Sequence, residues 1–419
     1  MHILYLHQYF STLSMPGGTR SFQMARRLVG MGHRVTMITS WRQDDGRKEW
    51  FVTNEDGIEV HWLPVPYSNH MSYGERIKAF IKFAVGAKKR AVQVGGDVVF
   101  ATSTPLTIAI PGVFASRKLK IPMVFEVRDL WPELPIAIGA LKNPLVQRAA
   151  FAMEAWAYRN SEAVVALSPG MREGVLKTGY PSERVAVIPN SSDNSDFEVD
   201  PAVGKAWRAT KSWLGDRPLI TYPGTFGKIN GVGYMVDLAT ALLKVAPEVR
   251  VFLLGDGMEK SLIRDKAAAA GVLDVNLFME DRVPKKDMPG VLAASDIVCS
   301  LFVDMKEMQA NSANKFFDTL AAGKPILLNY GGWQAEIVER AGCGLVTWKR
   351  DFEEAARMIA QRLDDKDWLD ETGRAAKRIG NELFDRDVLA KQLSEVLLAA
   401  ADRCGSRASG IASGDYSRV

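Results

Sequence analysis

A glycine pair followed by an arginine is the first feature of this sequence whose spacing suggests chemistry. Gly17 and Gly18 precede Arg20, between an apolar run and a helical stretch that begins near Ser21. Paired glycines let backbone N–H groups approach an anion, and a helix N-terminus adds a favourable dipole. A plain tight turn explains the pair equally well, and the dinucleotide pattern Gly-x-Gly-x-x-Gly is absent here. Of the two alternatives, the functional one makes Gly17, Gly18 and Arg20 contacts to a donor phosphate.

A second glycine-rich turn occupies the corresponding place in the second half of the chain. Residues 222–231 follow an apolar run and include Gly224, Thr225 and Lys228. The small residues again leave room for an anion, and Lys228 supplies a point charge. Two such turns in successive sheets are expected to face each other across a cleft and to hold one pyrophosphate. We therefore predict Thr225 as a donor contact and Lys228 as a catalytic residue that stabilises the departing diphosphate.

Three charged residues follow the buried apolar run 123–127, namely Arg128, Asp129 and Glu133. Charged residues at the carboxyl end of a parallel strand point into the ligand crevice of an α/β domain. The alternative explanation for these charged residues is that they form salt bridges that stabilise the loop. We favour function, with Arg128 and Glu133 in the acceptor site or cleft and Asp129 as the catalytic residue that orients a reacting hydroxyl.

Residues 311–325 read as a helix with an amide-rich start. Ser312 is the predicted N-cap, and Gly323 ends the helix before the next strand. Lys315 and Asp318 are three residues apart and so share a helix face. Asn314 and Lys315 suit a diphosphate, and Asp318 suits the two hydroxyls of a ribose. An ordinary surface ion pair between Lys315 and Asp318 is the alternative.

The elements that position these residues are short apolar runs alternating with helical stretches. Most runs are continuously apolar, as a parallel strand covered on both faces requires. The predicted class is therefore α/β, with doubly wound parallel sheets. The predicted strands are 3–9, 35–39, 59–65, 98–102, 123–127, 163–167, 185–188, 219–222, 249–254, 275–278, 297–301, 326–329 and 345–348.

The pattern restarts near Pro218, after a polar stretch that contains no clear strand. This restart predicts two Rossmann-like domains, an acceptor domain over 1–195 and a donor-nucleotide domain over 196–386. The helical stretch 387–404 follows the second sheet and is expected to pack back on the first domain. The tail 405–419 is rich in glycine and serine, which predicts disorder.

Composition excludes several classes of protein. The 419 residues carry 53 basic and 49 acidic side chains, a net charge of +4 that gives no nucleic-acid signature. The three cysteines and five histidines are not arranged at metal-ligand spacing, so we expect no metal and no other cofactor. No apolar run has transmembrane length, which predicts a cytoplasmic protein, with peripheral contact to the inner membrane left open.

The segment 321–325, Ala-Ala-Gly-Lys-Pro preceded by Asp318, resembles the donor-binding segment of the family-4 retaining glycosyltransferases, which have the GT-B fold. Further stretches match that family in order: the Gly17-Gly18 turn, 168–171 with 187–190, the Gly224 turn and 255–257. Residues 128–133 and Asn314-Lys315 look most like the subgroup that transfers deoxy-amino sugars in O-antigen and capsule assembly. The resemblance implies two facing Rossmann-like domains, a nucleotide-sugar donor and retention at the anomeric carbon.

The resemblance also assigns residues, and it shows departures. Asp318 matches the second acid of the family's Glu–seven residues–Glu pattern, which holds the donor ribose, whereas the first acidic position falls on Ala310. The family's Gly-Arg and Lys-Gly pair around the leaving diphosphate is altered to Gly224-Thr225 and Asn230-Gly231. Lys228 and Lys315 are the candidates that replace those charges.

A basic amphipathic stretch covers residues 73–90. Ile77, Phe80, Ile81 and Ala84 recur at helical spacing, with basic residues beside them. Such a helix could lie on an anionic lipid surface through 75–90, or it could be a core helix with a solvated basic side. A lipid-linked acceptor, implied by the subgroup resemblance, favours the membrane.

The predicted function is transfer of a sugar from a nucleoside diphosphate donor, most consistent with UDP, to a hydroxyl of a lipid-linked glycan in bacterial surface polysaccharide synthesis. One alternative is a UDP-sugar epimerase of the same fold, although the second domain contains no histidine. The other is a non-catalytic partner of a polysaccharide assembly complex, which the alanine at position 310 would favour.

Overall fold

A computed structural model describes residues 1–15, 17–68 and 71–405 of the chain. The chain divides into two compact units. Unit 1 contains Met1–Pro189 together with the segment that starts at Asp387, and unit 2 contains Asn190–Arg386. Pro16 and the predicted tail from 406 to 419 lie outside the described residues.

Unit 1 is built on an eight-stranded sheet. Its strands are β1 (His2–Leu6), β2 (Arg34–Trp41), β3 (Phe51–Glu55), β4 (Ile58–Pro64), β5 (Val98–Thr102), β6 (Met123–Val127), β7 (Ala163–Ala166) and β8 (Val185–Val187). They lie in the order β3-β4-β2-β1-β5-β6-β7-β8. All neighbours are parallel except β3, which runs antiparallel to β4 at the edge. The order reverses direction between β1 and β5, which makes a topological switch point there.

Helices cover both faces of this sheet, which explains why its strands are continuously apolar. The helices are α1 (Arg20–Gly30), α2 (Tyr73–Val94), α3 (Ala109–Leu119), α4 (Glu133–Ala137), α5 (Pro144–Arg159) and α6 (Pro169–Lys177). In β1, Leu4 and Leu6 pack on one face with residues of α2, α3 and α6. Ile3 and Tyr5 pack on the other face with residues of α1.

Unit 2 contains a six-stranded, fully parallel sheet. Its strands are β9 (Leu219–Pro223), β10 (Arg250–Leu254), β11 (Leu277–Glu280), β12 (Ile297–Ser300), β13 (Ile326–Leu328) and β14 (Gly344–Val346). They lie in the order β11-β10-β9-β12-β13-β14, with the switch point between β9 and β12. The helices are α7 (Pro201–Ala209), α8 (Gly233–Val245), α9 (Lys260–Ala269), α10 (Met288–Ala294), α11 (Asn314–Ala321), α12 (Trp333–Ala341), α13 (Phe352–Leu363) and α14 (Lys366–Leu383).

The last helix, α15 (Arg386–Gly405), completes the core of unit 1. Leu389, Leu393 and Leu397 are fully buried among side chains of β1, β2 and α1. These leucines recur every four residues, so they form one apolar stripe along the helix. The face of the sheet that α1 only partly covers is therefore closed by the C-terminal part of the chain.

The predicted α/β class with two doubly wound parallel sheets and the GT-B fold is confirmed. The strand β3 was missed because its residues alternate between half-buried and exposed, and Asn54 and Glu55 disfavour a strand. The division between the units falls at Pro189, earlier than the boundary placed at residue 195. Asn190 belongs to unit 2 because its N–H donates to Ser312 Oγ at 3.0 Å and its side-chain amide donates to Ser312 O at 2.5 Å.

Candidate functional site

The candidate donor residues of unit 2 lie at the carboxyl end of β9, beside the switch point. Gly224 N–H donates to Leu254 O at 2.9 Å, and Phe226 N–H donates to Asp256 O at 3.0 Å. The Gly224 turn therefore lies directly against the loop that follows β10. A Cβ at Gly255 would sit 1.8 Å from Gly224 O, so this close approach of two backbones requires a glycine.

Lys315, in the first turn of α11, reaches this glycine turn. Its ammonium nitrogen lies 5.2 Å from the centre of the Tyr222 ring and 5.3 Å from that of Phe302. A Cβ added to Gly224 would be 3.0 Å from Lys315 Cε. Burial lowers the pKa of Lys315 to about 8. The structure thus brings together the predicted Gly224 turn and the predicted Lys315, and it places a cation there without a carboxylate partner within the described ranges.

The Asp318 carboxylate accepts a hydrogen bond from the Ser192 hydroxyl. Within the described residues it forms no salt bridge with Lys315. It is half-buried on α11, and burial raises its pKa, while the Ser192 bond opposes that rise. The alternative explanation, a surface ion pair between Lys315 and Asp318, is therefore not supported. A half-buried carboxylate one turn inside the helix can accept further donors on its other oxygen lone pairs.

The predicted donor contacts Thr225 and Asn314 and the predicted catalytic residue Lys228 are exposed in unit 2. Thr225 and Lys228 lie in the Gly224 turn, where Thr225 O accepts from the Tyr222 hydroxyl at 2.9 Å. Asn314 is the first residue of α11 and is also exposed. The predicted N-cap, Ser312, is wrong: α11 begins at Asn314 with Ala313 as its N-cap, because Ser312 Oγ is already engaged by Asn190 N–H.

Arg20, predicted as a phosphate contact of unit 1, is a buried structural residue. Its Nε and Nη2 donate to Glu126 Oε1 at 3.1 and 2.9 Å, and its Nη1 donates to Pro189 O at 2.6 Å. Nη2 also donates to Ile188 O at 3.0 Å. Both charged side chains of the pair are nearly inaccessible. We correct the prediction accordingly: this guanidinium ties α1 to β6 and to the end of β8, so it is not available to a donor.

The cation that does lie beneath the Gly17 turn is Arg42, which follows β2. Arg42 Nη2 donates to Ser11 Oγ at 2.7 Å. A Cβ at Gly17 would meet Ser11 Oγ at 2.9 Å and Arg42 Nη2 at 3.8 Å, and the φ of +129° at Gly17 also requires glycine. Gly17 and Gly18 themselves are exposed. The predicted glycine turn is thus accompanied by an arginine, but a different one from the arginine next to it in sequence.

Arg128 and Asp129 follow β6 and are half-buried at the carboxyl edge of the unit 1 sheet. The backbone N–H of Arg128 donates to Ser103 Oγ at 3.1 Å, and its Nη1 lies 3.3 Å from His7 Nε2. Burial raises the pKa of Asp129 to about 6, and the Arg128 charge partly offsets that rise. An acid that titrates near neutral pH at a strand end has the properties expected of a functional carboxyl.

Glu133, the first residue of α4, lies near a second buried acid. Its Oε2 is buried and has no hydrogen-bond partner within the described ranges. Burial raises the pKa of Glu154 on α5 to about 8, and the Glu133 carboxylate contributes to that rise. The Tyr158 hydroxyl donates to Glu154 Oε1 at 2.9 Å. The negative charge of Glu133, in the predicted acceptor segment, therefore raises the pKa of the buried Glu154.

His7 and Arg42 are the site residues that sequence reasoning missed. His7 directly follows β1 at the switch point and is only 2% exposed. Burial, and then the charges of Arg128 and Arg42, lower the pKa of His7 well below its usual value. A polar residue directly after an apolar strand was the available signal for His7. For Arg42 the same position after β2 was visible, but its neighbour Gly17 is distant in sequence.

Two further observations concern the described part of the chain as a whole. Within residues 1–15, 17–68 and 71–405, no group of three or more His, Cys, Asp or Glu side chains is arranged to hold a metal ion. Over the same residues, no helix combines the length and the apolar character needed to cross a bilayer.

Comparison with known proteins identifies each half of the chain. Residues 17–191 match the family "Glycosyl transferase 4-like domain", and residues 204–379 match "Glycosyl transferases group 1". The gpi3 subunit of phosphatidylinositol N-acetylglucosaminyltransferase from Schizosaccharomyces pombe is 23% identical over 269 residues. That match covers 61% of this chain and 54% of the gpi3 subunit, so the chain spans about half the length of this relative.

A second relative and a solved structure extend the comparison. The GDP-mannose-dependent alpha-(1-6)-phosphatidylinositol monomannoside mannosyltransferase of Mycobacterium tuberculosis is 22% identical over 72% of this chain and 75% of its own length. The crystal structure of Anabaena HepE in complex with UDP and glucose superposes with a TM-score of 0.69 at 19% identity, covering 95% of this chain and 100% of HepE. With both halves matched to glycosyltransferase families and the two-sheet architecture shared, the chain belongs to the family-4 type glycosyltransferases of the GT-B fold.

Proposed function

We propose that the chain transfers a sugar from a UDP-sugar to a hydroxyl of a lipid-linked glycan, with retention at the anomeric carbon, in the synthesis of a bacterial surface polysaccharide. The observation that carries this proposal is Lys315, a half-buried cation at the carboxyl end of β9 that lies against the Gly224 turn. A cation beside a glycine turn suits the diphosphate of a nucleotide sugar.

The donor nucleotide would bind to unit 2. Lys315, together with the exposed Lys228 and Asn314, would neutralise the diphosphate as it departs. The half-buried Asp318 would accept hydrogen bonds from the ribose hydroxyls, while Ser192 holds one of its oxygens. Preorganised charge of this kind lowers the barrier because it needs no rearrangement during the reaction.

The acceptor would bind to unit 1, near the carboxyl edge of its sheet. Asp129 would accept a hydrogen bond from the reacting hydroxyl and orient it, which requires the carboxylate form. Its pKa of about 6 leaves that form predominant at neutral pH. Arg128 and Glu133 flank Asp129 in the same segment and would complete the acceptor site.

The choice of nucleotide rests on the resemblance and on one structural neighbour. HepE was crystallised with UDP and glucose, whereas the mycobacterial relative is named as dependent on GDP-mannose. Because the two differ in their base, the donor screen described below includes both UDP- and GDP-sugars. The lipid-linked acceptor and the deoxy-amino sugar rest on the subgroup resemblance of residues 128–133 and 314–315.

Helix α2 supports a peripheral contact with the inner membrane. It begins with a capping box in which Glu75 N–H donates to Ser72 Oγ and Ser72 N–H donates to Glu75 Oε2. Its buried stripe contains Ala79, Phe83 and Ala87, with Ala84 as the one fully buried member of the predicted apolar set. The solvent-exposed side of α2 carries three apolar residues that recur every four positions. They are Ile77, Ile81 and Val85, which are exposed by 51%, 53% and 65%.

This exposed apolar stripe stands beside exposed lysines at positions 78, 82 and 89. An exposed apolar stripe with lysines along one side matches the requirements of a helix that lies on an anionic bilayer. We therefore include 75–90 in the proposal as the membrane contact. Cosedimentation of the chain with phosphatidylglycerol vesicles should fall on Ile81→Glu. It should not fall on the matched exchange Leu262→Glu, at a position of α9 that is 61% exposed.

The deciding experiment begins with a screen of UDP- and GDP-sugars for thermal stabilisation of the full chain, since a ligand that binds the folded state raises its stability. The best donor is then titrated by calorimetry into the wild type and Asp318→Ala. We expect binding to be severely weakened in the variant. Unchanged affinity would remove Asp318 from the donor site.

Incubating that donor without acceptor separates transfer from epimerisation. An epimerase would interconvert the sugar without an acceptor, whereas a transferase consumes the donor at a useful rate only when a glycan lipid is present. A chain that binds no sugar nucleotide at all would contradict the proposal.

A further inference from the structure

Helix α5 exposes apolar side chains over its first two turns. Leu145, Val146 and Phe151 are exposed by 72%, 45% and 43%. These turns are well formed, because Asn143 Oδ1 caps the helix by accepting from Leu145 N–H at 2.9 Å and Pro144 occupies the first helical position. The apolar side chains are therefore held in water by an ordered helix, at a cost in free energy.

Helices α2, α3 and α5 form one helical layer on the sheet of unit 1. Ala87 of α2, Val113 of α3 and Ala157 of α5 belong to one apolar cluster with Leu4 and Leu6 of β1. Helix α3 packs against both α2 and α5. The three helices therefore lie side by side on one face of the sheet, and their surfaces opposite the sheet point the same way. The other face of the sheet is covered by α1 and α15.

The exposed apolar segments of α2 and α5 lie at the same height in this helical layer. Three residues connect the end of each helix to the start of the next strand, which is β5 after α2, β6 after α3 and β7 after α5. The helices thus run in one direction and end at the amino edge of the sheet. With a rise of about 1.5 Å per residue, residues 77–85 lie about 14–26 Å from the end of α2, and residues 145–152 lie about 11–21 Å from the end of α5. The two segments are therefore level with each other, on either side of α3.

The same helical layer is rich in basic side chains. The acids within α2, α3 and α5 are Glu75 and Glu154, and Glu154 is buried. Exposed basic residues of the three helices include Lys78, Lys82, Lys89, Arg117, Lys118 and Arg148. Exposed apolar side chains beside basic ones, with few acids among them, suit an anionic bilayer.

A second copy of the chain is the other occupant that an exposed apolar surface suggests. A two-fold dimer through the helical layer would place the same patch on both sides of the interface. Lys78, Lys82 and Arg148 would then meet basic residues of the other copy, and like charges brought together disfavour association. The charge of the layer therefore favours a bilayer over a second copy.

We propose that α5 is a second membrane-binding element of unit 1, and that Leu145, Val146 and Phe151 enter the headgroup region of an anionic bilayer together with the exposed stripe of α2. The inference rests on the membrane contact in the proposed function, which involves α2 alone, and extends it. Both apolar segments lie toward the carboxyl edge of the sheet. The segment that contains Asp129 is therefore held near the membrane surface, where a lipid-linked acceptor is presented.

The test is cosedimentation of the full chain with phosphatidylglycerol vesicles. The variant is Leu145→Gln/Phe151→Gln, which removes two exposed apolar side chains without adding a charge. The matched control is Leu398→Gln, at a 40% exposed position of α15, the helix on the opposite face of the same sheet. We expect vesicle affinity to fall about tenfold in the double variant and to stay unchanged in the control.

Arg148→Gln tests the electrostatic part of the contact. Its affinity for phosphatidylglycerol vesicles should fall about fivefold, because one basic residue near an anionic surface is lost. Its affinity for phosphatidylcholine vesicles should not change. A fall of equal size on both kinds of vesicle would contradict the attraction to anionic lipid.

The outcomes separate this inference from the proposed function. Wild-type vesicle affinity in Leu145→Gln/Phe151→Gln overturns the role of α5, while a loss in Ile81→Glu still supports the contact through α2. If sedimentation velocity shows that the double variant loses self-association while its vesicle binding is unchanged, a second copy occupies the surface and the inference fails. The sugar-nucleotide titration tests the transferase separately, so its failure leaves the vesicle result standing. Circular dichroism checks folding, and Leu145→Gln alone serves if the double variant does not fold.

Discussion

Lys315 places its ammonium nitrogen 5.2 Å from the centre of the Tyr222 ring, at the carboxyl end of the strand that begins the second sheet. The ring stabilises the charged ammonium, but burial disfavours it more strongly, and the balance lowers the pKa of Lys315 to about 8. The charge that is proposed to hold the diphosphate is therefore lost at moderately alkaline pH.

The first prediction is that UDP affinity falls as the pH rises above about 8. Above pH 8 the Lys315 side chain is mostly neutral, because burial lowers its pKa to about 8. The cation that is proposed to bind the UDP diphosphate is then absent. The loss approaches about tenfold per pH unit when the charged form is required. Lys315→Arg keeps its charge, so calorimetry at pH 7 and pH 9 should show a smaller fall for this variant. The same pH dependence in both proteins would contradict the role of Lys315.

The second prediction concerns the space at Gly224. An added Cβ would be 2.9 Å from Tyr222 Oη and 3.0 Å from Lys315 Cε, so Gly224→Ala must shift the Tyr222 ring and crowds the Lys315 side chain. We expect UDP affinity to fall several-fold, with a stability loss of about 1–3 kcal/mol for overpacking. Gly233→Ala is the matched control, because its Cβ would meet only ordinary contacts from 3.5 Å outward. Equal UDP affinity in Gly224→Ala and the control would argue against a donor site at this turn.

The third prediction follows from the buried position of Arg20. Arg20→Met leaves Glu126 charged and without its main partner, which should cost about 3–5 kcal/mol in the free energy of unfolding. The double variant Arg20→Met/Glu126→Gln should recover part of that loss. The exposed pair of Arg34 and Glu59 provides a contrast, since Arg34→Ala should cost less than about 1 kcal/mol. Chemical denaturation measures all three, and a small loss in Arg20→Met would contradict the structural role.

The fourth prediction uses the titration of Asp129. Asp129 must be a carboxylate to accept a hydrogen bond from the reacting hydroxyl of the sugar acceptor. The value of kcat/KM should therefore rise with pH through the Asp129 pKa of about 6 and then level off. Asp129→Asn should lower kcat by roughly 10²–10⁴. Because the Arg128 charge lowers the pKa of Asp129, Arg128→Gln should move the acidic limb to higher pH. A pH–rate profile without an acidic limb near 6 would remove Asp129 from the reaction.

The fifth prediction concerns the coupled acids Glu133 and Glu154. The pKa of Glu154 is raised from 4.5 to about 8 in the folded chain, so folding favours its protonated form. The free energy of unfolding should therefore fall as the pH rises from about 4.5 to 8, by on the order of 1.4 kcal/mol per pH unit. Glu154→Gln keeps an acceptor for Tyr158 and cannot ionise, so its stability should decline less over that range. Parallel pH profiles of the two proteins would contradict the raised pKa of Glu154.

Much of the fold was predictable because its strands are buried on both faces. The continuous apolar runs predicted strands β5 and β6 with their observed bounds. Strand β3 was not predicted, because it is an edge strand whose exposed face carries polar residues. The turns at Gly17 and Gly224 were visible because glycine pairs and helix starts leave local signals.

The partners of charged residues were not predictable, because they are distant in the chain. Arg20 meets Glu126 across 106 residues, and Ser312 meets Asn190 across 122 residues. Local patterns assigned Arg20 to a ligand and Ser312 to a helix cap, and in both cases a tertiary contact took the side chain instead. The contact between Arg128 and His7 likewise joins residues that are 121 positions apart.

The packing of α15 on the first sheet has a consequence for biosynthesis. The leucines that close that face lie beyond residue 386, so the ribosome must translate the Asn190–Arg386 part of unit 2 before unit 1 can bury them. Until then the nascent chain exposes the apolar side chains of β1 and β2 that await this helix. The described residues of unit 2 run without a break from Asn190 to Arg386, so unit 2 can fold on the ribosome before unit 1 is complete.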